Sequence, residues 1–338
     1  MAEPTVSAGY AKALVGLALA KGADESRLLA RARIDPGDLA DPENRLPFER
    51  FKALMGAAKE LCDEPALALH FGETSRMVEM SIVGLITHAA QTMAEAFAQM
   101  NRYARLVIEV RGHESGDRFA IVRRPGGVWI EDRRRDPNEF PELTESTWAR
   151  FVSEYAHYFP NRPPFVKAVH VTHAAPPYRA EYDRILQAPV TFGSDRNALL
   201  IEESWLSRPI GAANRYVFGI FSERAAALLT SLENSKTVKG RVESVLIPIL
   251  HTGESTMERI AKNIGLSRPT LYRQLKAEGA SYERLLDDLR HKMALHYLDG
   301  KKVSVAQTAY LVGFSDPSAF SRAFRRWTGR RPGRRGEA

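Results

Sequence analysis

The chain carries one cysteine, Cys62, in 338 residues. That excludes an intrachain disulfide and a multi-thiolate zinc site, and it fits a reducing cytosol. Long apolar runs are missing too, since no stretch approaches the roughly 20 residues needed to cross a bilayer. Ala13–Ala20 is short, flanked by Lys12 and Lys21, and preceded by Glu3 in place of a basic segment. It reads as an amphipathic helix burying Tyr10, Leu14 and Leu17, not as a secretory signal. The chain also lacks a Gly-rich phosphate loop, a His-Glu-x-x-His pair, and a Ser or Cys in a nucleophile turn. His170 and His173 lie three apart on an expected strand and face opposite ways, while His291 and His296 diverge on a helix. These absences leave no catalytic residue, no metal site and no cofactor to name.

What the chain does have is an echo. Gly265-Leu266-Ser267-Arg268-Pro269-Thr270 returns as Gly313-Phe314-Ser315-Asp316-Pro317-Ser318. Upstream, Ala261 pairs with Ala309 and Ile264 with Val312. Downstream, after a one-residue slip, Leu271, Arg273, Leu275 and Lys276 pair with Phe320, Arg322, Phe324 and Arg325. Each copy runs from a short amphipathic stretch through Gly and an apolar residue to a capping Ser and a basic amphipathic stretch. This is the layout of a helix-turn-helix, with Gly ending the first helix in the left-handed conformation and Ser267 or Ser315 capping the second. Two such units in tandem point to double-stranded DNA.

The charge distribution agrees. From Thr237 onward there are 19 Lys and Arg against 10 Asp and Glu, while the whole chain is +7, so residues 1–236 are slightly acidic. Nucleic-acid binders concentrate positive charge in this way because phosphate contacts release counterions. The final Arg330, Arg331, Arg334 and Arg335 read equally well as a solvated basic tail.

With 44% hydrophobic and 26% charged residues the composition is that of an ordinary globular protein, long enough for two cores. Residues 5 to about 105 read as helical, broken at Gly22, at Asp35-Pro36-Gly37 and at the turn cluster Asp41 to Pro47. Leu106–Arg111, Arg118–Arg123 and Val128–Arg133 read as an antiparallel meander, with turns at Glu114–Asp117 and Pro125–Gly127. A helix over Pro141–Phe159, a strand over Phe165–Thr172, a short helix within Pro176–Ala188 and strand segments in Val190–Ile201 follow. The expected fold is therefore an N-terminal α+β domain, helices plus a small antiparallel sheet, over residues 1–210. A connecting helix and linker over 211–236 ends in the polar Glu233-Asn234-Ser235-Lys236. An all-α double helix-turn-helix then fills 237–338. Between the repeats, Tyr282–Leu298 reads as one amphipathic rod of roughly 25 Å, able to hold two recognition helices about one DNA turn apart.

The stretch Val312-Gly313-Phe314-Ser315-Asp316-Pro317-Ser318-Ala319-Phe320-Ser321-Arg322-Ala323-Phe324-Arg325-Arg326-Trp327-Thr328-Gly329 resembles the signature of the AraC/XylS family of bacterial transcription regulators. That likeness covers about residues 237–333; the Gly333-Arg334-Arg335 that follows Pro332 departs from the family's usual short helix start. Pro176-Pro177-Tyr178 through Tyr182, Ala188–Gly193, Leu199 and Leu206-Ser207-Arg208-Pro209-Ile210 are similar to the arabinose-binding-like sensor domain of the ornithine-utilisation subgroup.

The resemblance implies that Pro269, Tyr272 and Arg273 meet base edges on the first recognition helix, opposite the core-facing Leu271 and Leu275. On the second, Phe320, Phe324 and Trp327 form a core stripe, which leaves Ser318, Ala319 and Arg322 for bases. Arg268, Lys276, Arg325, Arg326 and Arg330 suit phosphates, and Asp316 suits a helix start. Around the expected sensor strands, Tyr103, Arg111 and Trp129 are weak effector candidates. Arg133-Arg134-Arg135 reads as solvated surface, with an anion site as the alternative. The function implied is a non-enzymatic, cytoplasmic, DNA-binding regulator under a small-molecule effector, homodimeric and working with RNA polymerase. Two alternatives stay open: a constitutive DNA binder whose N-terminal domain only dimerises, and an enzyme fused to a DNA-binding domain.

Overall fold

The computed structural model describes residues 3–111, 117–124, 126–161, 163–210, 213–299 and 303–332. The chain divides into two compact units, Met1–Leu229 and Thr230–Ala338.

In the first unit, β1 (Thr5–Ser7) leads into α1 (Ala8–Ala20), whose first turn is capped by Ser7 accepting from the Tyr10 N–H at 3.3 Å. After α2 (Glu25–Ala32), β2 (Arg45–Pro47) pairs antiparallel with β1. Helices α3 (Phe48–Leu61), α4 (Leu67–Thr74), α5 (Met77–Met80), α6 (Ile82–Ala89) and α7 (Met93–Val107) follow. Among the described residues, five strands then make one sheet, interrupted by two helices. These are β3 (Phe119–Arg124), β4 (Gly127–Asp132), α8 (Glu142–Tyr158), β5 (Val166–His170), α9 (Arg179–Leu186), β6 (Val190–Thr191) and β7 (Asn197–Ile201). The order is β3-β4-β7-β5-β6, antiparallel except for the short parallel β5/β6 pair.

One apolar cluster joins α1 to α4 and takes in Phe218, Phe221 and Ala225 of α10 (Arg215–Ser235). A second fills the space between the sheet, α7 and α8 around Trp148, Phe119 and Trp205. Gly72 brings α4 against α8: a Cβ there would collide with the Ser146 carbonyl and come within 2.7 Å of the Ala149 Cβ.

The second unit has its own core. Helices α11 (Val238–Ile249), α12 (Met257–Asn263), α13 (Arg268–Ala277), α14 (Tyr282–Asp299), α15 (Val305–Leu311) and α16 (Pro317–Thr328) are all short except α14. Leu246, Leu250, Leu271, Leu275, Leu285, Leu289, Phe320 and Phe324 are buried together.

Several expectations change. Leu106–Arg111 is not a strand: Leu106 and Val107 continue α7, and only Ile108 makes an isolated bridge to Val6. A short apolar run cannot be told from a buried helix end by period alone. Within the region read as helical, β1 and β2 form a two-stranded ribbon. Glu233–Ser235, expected as linker, lies in α10, which ends just before Thr237 caps α11. Arg134 is not solvated. It is buried, with its guanidinium against Asp132 at 3.2 Å, and burial lowers its pKa to about 10; only Arg133 and Arg135 are exposed. The expected turn residues Glu114–Gly116 and Pro125, the helix start at Gly211, and Arg334 and Arg335 lie outside the described residues.

Glu145 on α8 is buried at 2% exposure, and its Oε1 accepts from the Tyr182 hydroxyl at 2.6 Å and the Tyr178 hydroxyl at 2.8 Å. Burial pushes its pKa up from the ordinary 4.5, even though the two phenol bonds pull the other way. Between 4.5 and that raised value the folded state holds a proton that the unfolded state has released. Stability contributed by this group is therefore lost as pH rises through that window. Relative to Glu145→Gln, the native chain should lose unfolding free energy as pH rises from the ordinary 4.5 toward the raised value. Identical pH dependence in denaturant titrations of the two would refute the assignment.

Candidate nucleic-acid interface and sensor cavity

Both repeats form helix-turn-helices. In the first, Thr256 caps α12, Gly265 takes φ +72°, and the Leu266 N–H donates to the Ala261 carbonyl at 2.8 Å. Ser267 caps α13, accepting from the Thr270 N–H at 3.3 Å. In the second, Ser304 and Gln307 close a capping box on α15, Gly313 takes φ +80°, and the Phe314 N–H donates to the Ala309 carbonyl at 2.9 Å. The cap of α16 is Asp316, not Ser315. Its carboxylate accepts from the Ser318 and Ala319 N–H groups at 3.0 and 2.9 Å, and those bonds hold its pKa below the usual range. The one-residue slip in the repeat thus falls between the turn glycine and the cap. Gly313 is required twice over, since a Cβ there would also drive into the Leu250 carbonyl oxygen. Arg290 of α14 clasps the same turn, donating to the Val312 and Gly313 carbonyls at 3.1 and 3.2 Å.

The caps and the buried stripes decide which side faces out. Leu271 and Leu275 are buried, so Pro269, Tyr272, Arg273 and Lys276 on α13 are exposed, Tyr272 by 57%. Phe320 and Phe324 are buried with Trp327 half-buried beside them, which leaves Ser318, Arg322, Arg325 and Arg326 exposed and Ala319 half-buried. Arg330 is exposed just beyond α16. Arg268 pairs with Glu258 at 3.0 Å and Arg326 with Asp287 at 2.6 Å. These exposed pairs are weak and exchangeable for phosphate. Arg273, Lys276, Arg322, Arg325 and Arg330 have no carboxylate within ion-pair distance among the described residues. Exposed cations without internal partners, presented on capped helices after tight turns, are what a DNA backbone and guanine edges need.

The first unit holds a cavity of about 140 Å³ between α7 and α8. Met93, Phe97 and Met100 of α7 line one wall, Arg150, Phe151, Glu154 and Tyr155 of α8 another, with Arg118 and Phe119 beside β3. None of the three sensor residues singled out from sequence lies on it. Tyr103 is buried elsewhere, donating to the Ser222 carbonyl at 3.2 Å; Arg111 is exposed in a turn; Trp129 packs its ring on His170 at 4.8 Å. Sequence reasoning missed Arg118, Arg150 and Glu154. One signal was available: Arg150 and Glu154 interrupt the stripe of Leu143, Thr147, Phe151 and Tyr155 on one helix face. Cys62 is half-buried, its thiol 3.6 Å from the Ala18 carbonyl, and burial pushes its pKa up, which leaves no activated nucleophile there.

The fold and this surface define a DNA-binding transcription regulator with a double helix-turn-helix and a separate sensor unit. The family model described as "Arabinose-binding domain of AraC transcription regulator, N-term" matches residues 22–210, and a helix-turn-helix domain model matches residues 260–335. The chain belongs to the AraC family. It is 27% identical to the ornithine utilization regulator of Pseudomonas aeruginosa, over 97% of this chain and 95% of that one. It is also 25% identical to the HTH-type transcriptional regulator VirS of Mycobacterium tuberculosis, over 92% of this chain and 90% of that one. The crystal structure of the transcriptional regulator CdpR from Pseudomonas aeruginosa aligns at a TM-score of 0.42 and 22% identity, covering 91% of this chain and 94% of that one. No helix among the described residues is long and apolar enough to cross a membrane.

Arg273→Ala and Arg322→Ala should each weaken binding to the specific site by about 1–3 kcal/mol and to random DNA by much less. Titrations on both DNAs separate base readout from phosphate contact, because equal losses would make these two arginines backbone contacts.

Proposed function

We propose that the chain controls transcription by reading promoter DNA through α13 and α16 under the influence of a small molecule held in the N-terminal unit. In this reading Pro269, Tyr272, Arg273, Ser318, Ala319 and Arg322 meet bases, and Arg268, Lys276, Arg325, Arg326 and Arg330 meet phosphates. The observation that carries it is the pair of exposed basic faces, each with no carboxylate within ion-pair distance of its central arginine among the described residues, on helices whose other faces are buried. An effector in the α7/α8 cavity would bias the equilibrium between DNA-binding-competent and incompetent states by its differential affinity for them. The chain acts as a homodimer: joining two DNA-binding units makes the second contact intramolecular and raises its effective concentration. RNA polymerase is the partner that such a bound regulator addresses, in the bacterial cytoplasm where promoter DNA lies, and no reaction is catalysed. The regulators to which the chain is similar include one named for ornithine utilization, which supports a metabolite as the effector class.

The fragment Thr230–Ala338, which has its own core, should fold alone and bind promoter DNA with a log–log salt slope of several negative units. It should bind the full operator more weakly than the complete chain, yet match it on a half-site. Sedimentation of the complete chain at micromolar concentration should show a dimer. Equal affinities for the full operator, with a strictly monomeric complete chain, would overturn the dimeric reading. Absent salt-dependent binding by the fragment would overturn the division of labour.

A further inference from the structure

The cavity of the first unit contains a charge problem. Arg150 is only 6% exposed, and its guanidinium donates to neutral oxygens alone, the Tyr10 hydroxyl at 3.1 Å and the Ser75 hydroxyl at 2.8 Å. Its Nε is buried with no hydrogen-bond partner, and no carboxylate lies within ion-pair distance of it among the described residues. The rings of Tyr10 and Phe71 sit 5.1 and 5.0 Å away, which offsets part of the desolvation without neutralising the charge. Buried guanidinium groups are ordinarily paired, because a charge taken out of water without a counter-ion is costly.

The other charged groups on the cavity do not supply that counter-ion. Glu154 accepts from the Met77 N–H at 2.9 Å and stands 3.5 Å from Arg76. Arg118 is also buried, and it shares the single carboxylate of Asp132 with Arg134, at 2.9 and 3.2 Å respectively. Two guanidiniums on one carboxylate leave that trio positive as well. The lining is therefore net cationic, and one cation in it, Arg150, has a buried N–H that no acceptor among the described residues takes.

Around this positive end the wall is apolar and compliant. Met93, Met100, Phe97 and Phe151 supply thioethers and rings that adapt to a ligand's outline. A volume of about 140 Å³ is close to that of an engineered protein cavity of about 150 Å³ that takes up benzene.

We propose that the cavity binds a small organic monocarboxylate, its carboxylate against Arg150 with Arg118 nearby and its aromatic or short aliphatic body among the α7 methionines and phenylalanines. This rests on the effector reading above and narrows it to a ligand class. Amines and zwitterionic amino acids are disfavoured, because their ammonium group would enter a cationic site whose one carboxylate is already engaged.

The test uses the full chain and probes with one body and different heads: 3-phenylpropanoate, 3-phenylpropanamide, 3-phenylpropylamine and L-phenylalanine, with octanoate and octylamine as the aliphatic pair. Thermal unfolding and calorimetric titration are run at constant ionic strength. The acids should raise the melting temperature by several degrees at millimolar concentration, and the amide, amines and amino acid should not. Arg150→Met should weaken acid binding at least tenfold. Ala96 of α7 also lines the cavity, and Ala96→Phe, which adds a ring to that wall, should abolish acid binding with Arg150 intact. If Arg150→Met does not fold, the head-group series on the unaltered chain decides alone. Equal binding of amide or amine, undiminished binding by Arg150→Met, or no response to either acid would each overturn the carboxylate assignment. Acid binding that leaves operator affinity unchanged would keep that assignment and overturn effector control instead.

Discussion

Each recognition helix can bury only one face, and the second unit makes both bury it in the same core. Leu271 and Leu275 from α13 and Phe320 and Phe324 from α16 meet the leucines of α11 and α14 in one cluster. Neither short helix would hold its shape alone, because isolated helices of this length are marginal in water. Once the apolar stripes are fixed inside, Arg273 and Arg322 have nowhere to point but outward. The tight turns enforce the same outcome, since Gly265 and Gly313 at positive φ allow each second helix to leave in the direction that buries its stripe. Interface chemistry thus follows from core packing, with Arg290 bonding the second turn to α14.

The first unit obeys a comparable constraint with a different result. Gly72 lets α4 approach α8 so closely that Arg150 is carried into the interior, where Tyr10 from α1 and Ser75 just after α4 receive it. The approach of two helices therefore sets a charge beside an apolar hollow. Arg150 ties α8 to α1 and α4 there, and under the carboxylate proposal the same charge would select an anion. A ligand that neutralised Arg150 would change the energetics of α1, α4 and α8 together, and that is the kind of differential a switch requires.

The DNA-binding half was legible in the sequence because its signals are local. Glycine, cap and stripe lie within a dozen residues and repeat, so the exposed arginines could be named without coordinates. The miss there was small: Ser315 and Asp316 are both good caps, and only the position of the repeat slip separates them. The sensor half was less legible because its determinants are non-local. Leu106–Arg111 has strand-like composition, yet it begins by completing α7. Arg134 lies between two exposed arginines and is buried only because Asp132, Thr144 and Phe140 fold around it. The cavity is built from segments far apart in the chain, and Tyr103 and Trp129, near the expected strands, are buried away from it.

The central claim is that one chain lays two recognition helices along one face of a DNA duplex. Hydroxyl-radical footprinting of the full chain on DNA from its own control region tests this most directly. The account predicts paired protected patches per DNA-binding unit, about 10–10.5 base pairs apart on the same face, with the patch read by α13 weakened by Arg273→Ala and the patch read by α16 weakened by Arg322→Ala. A single patch per unit, or both substitutions mapping to the same base pairs, would contradict it.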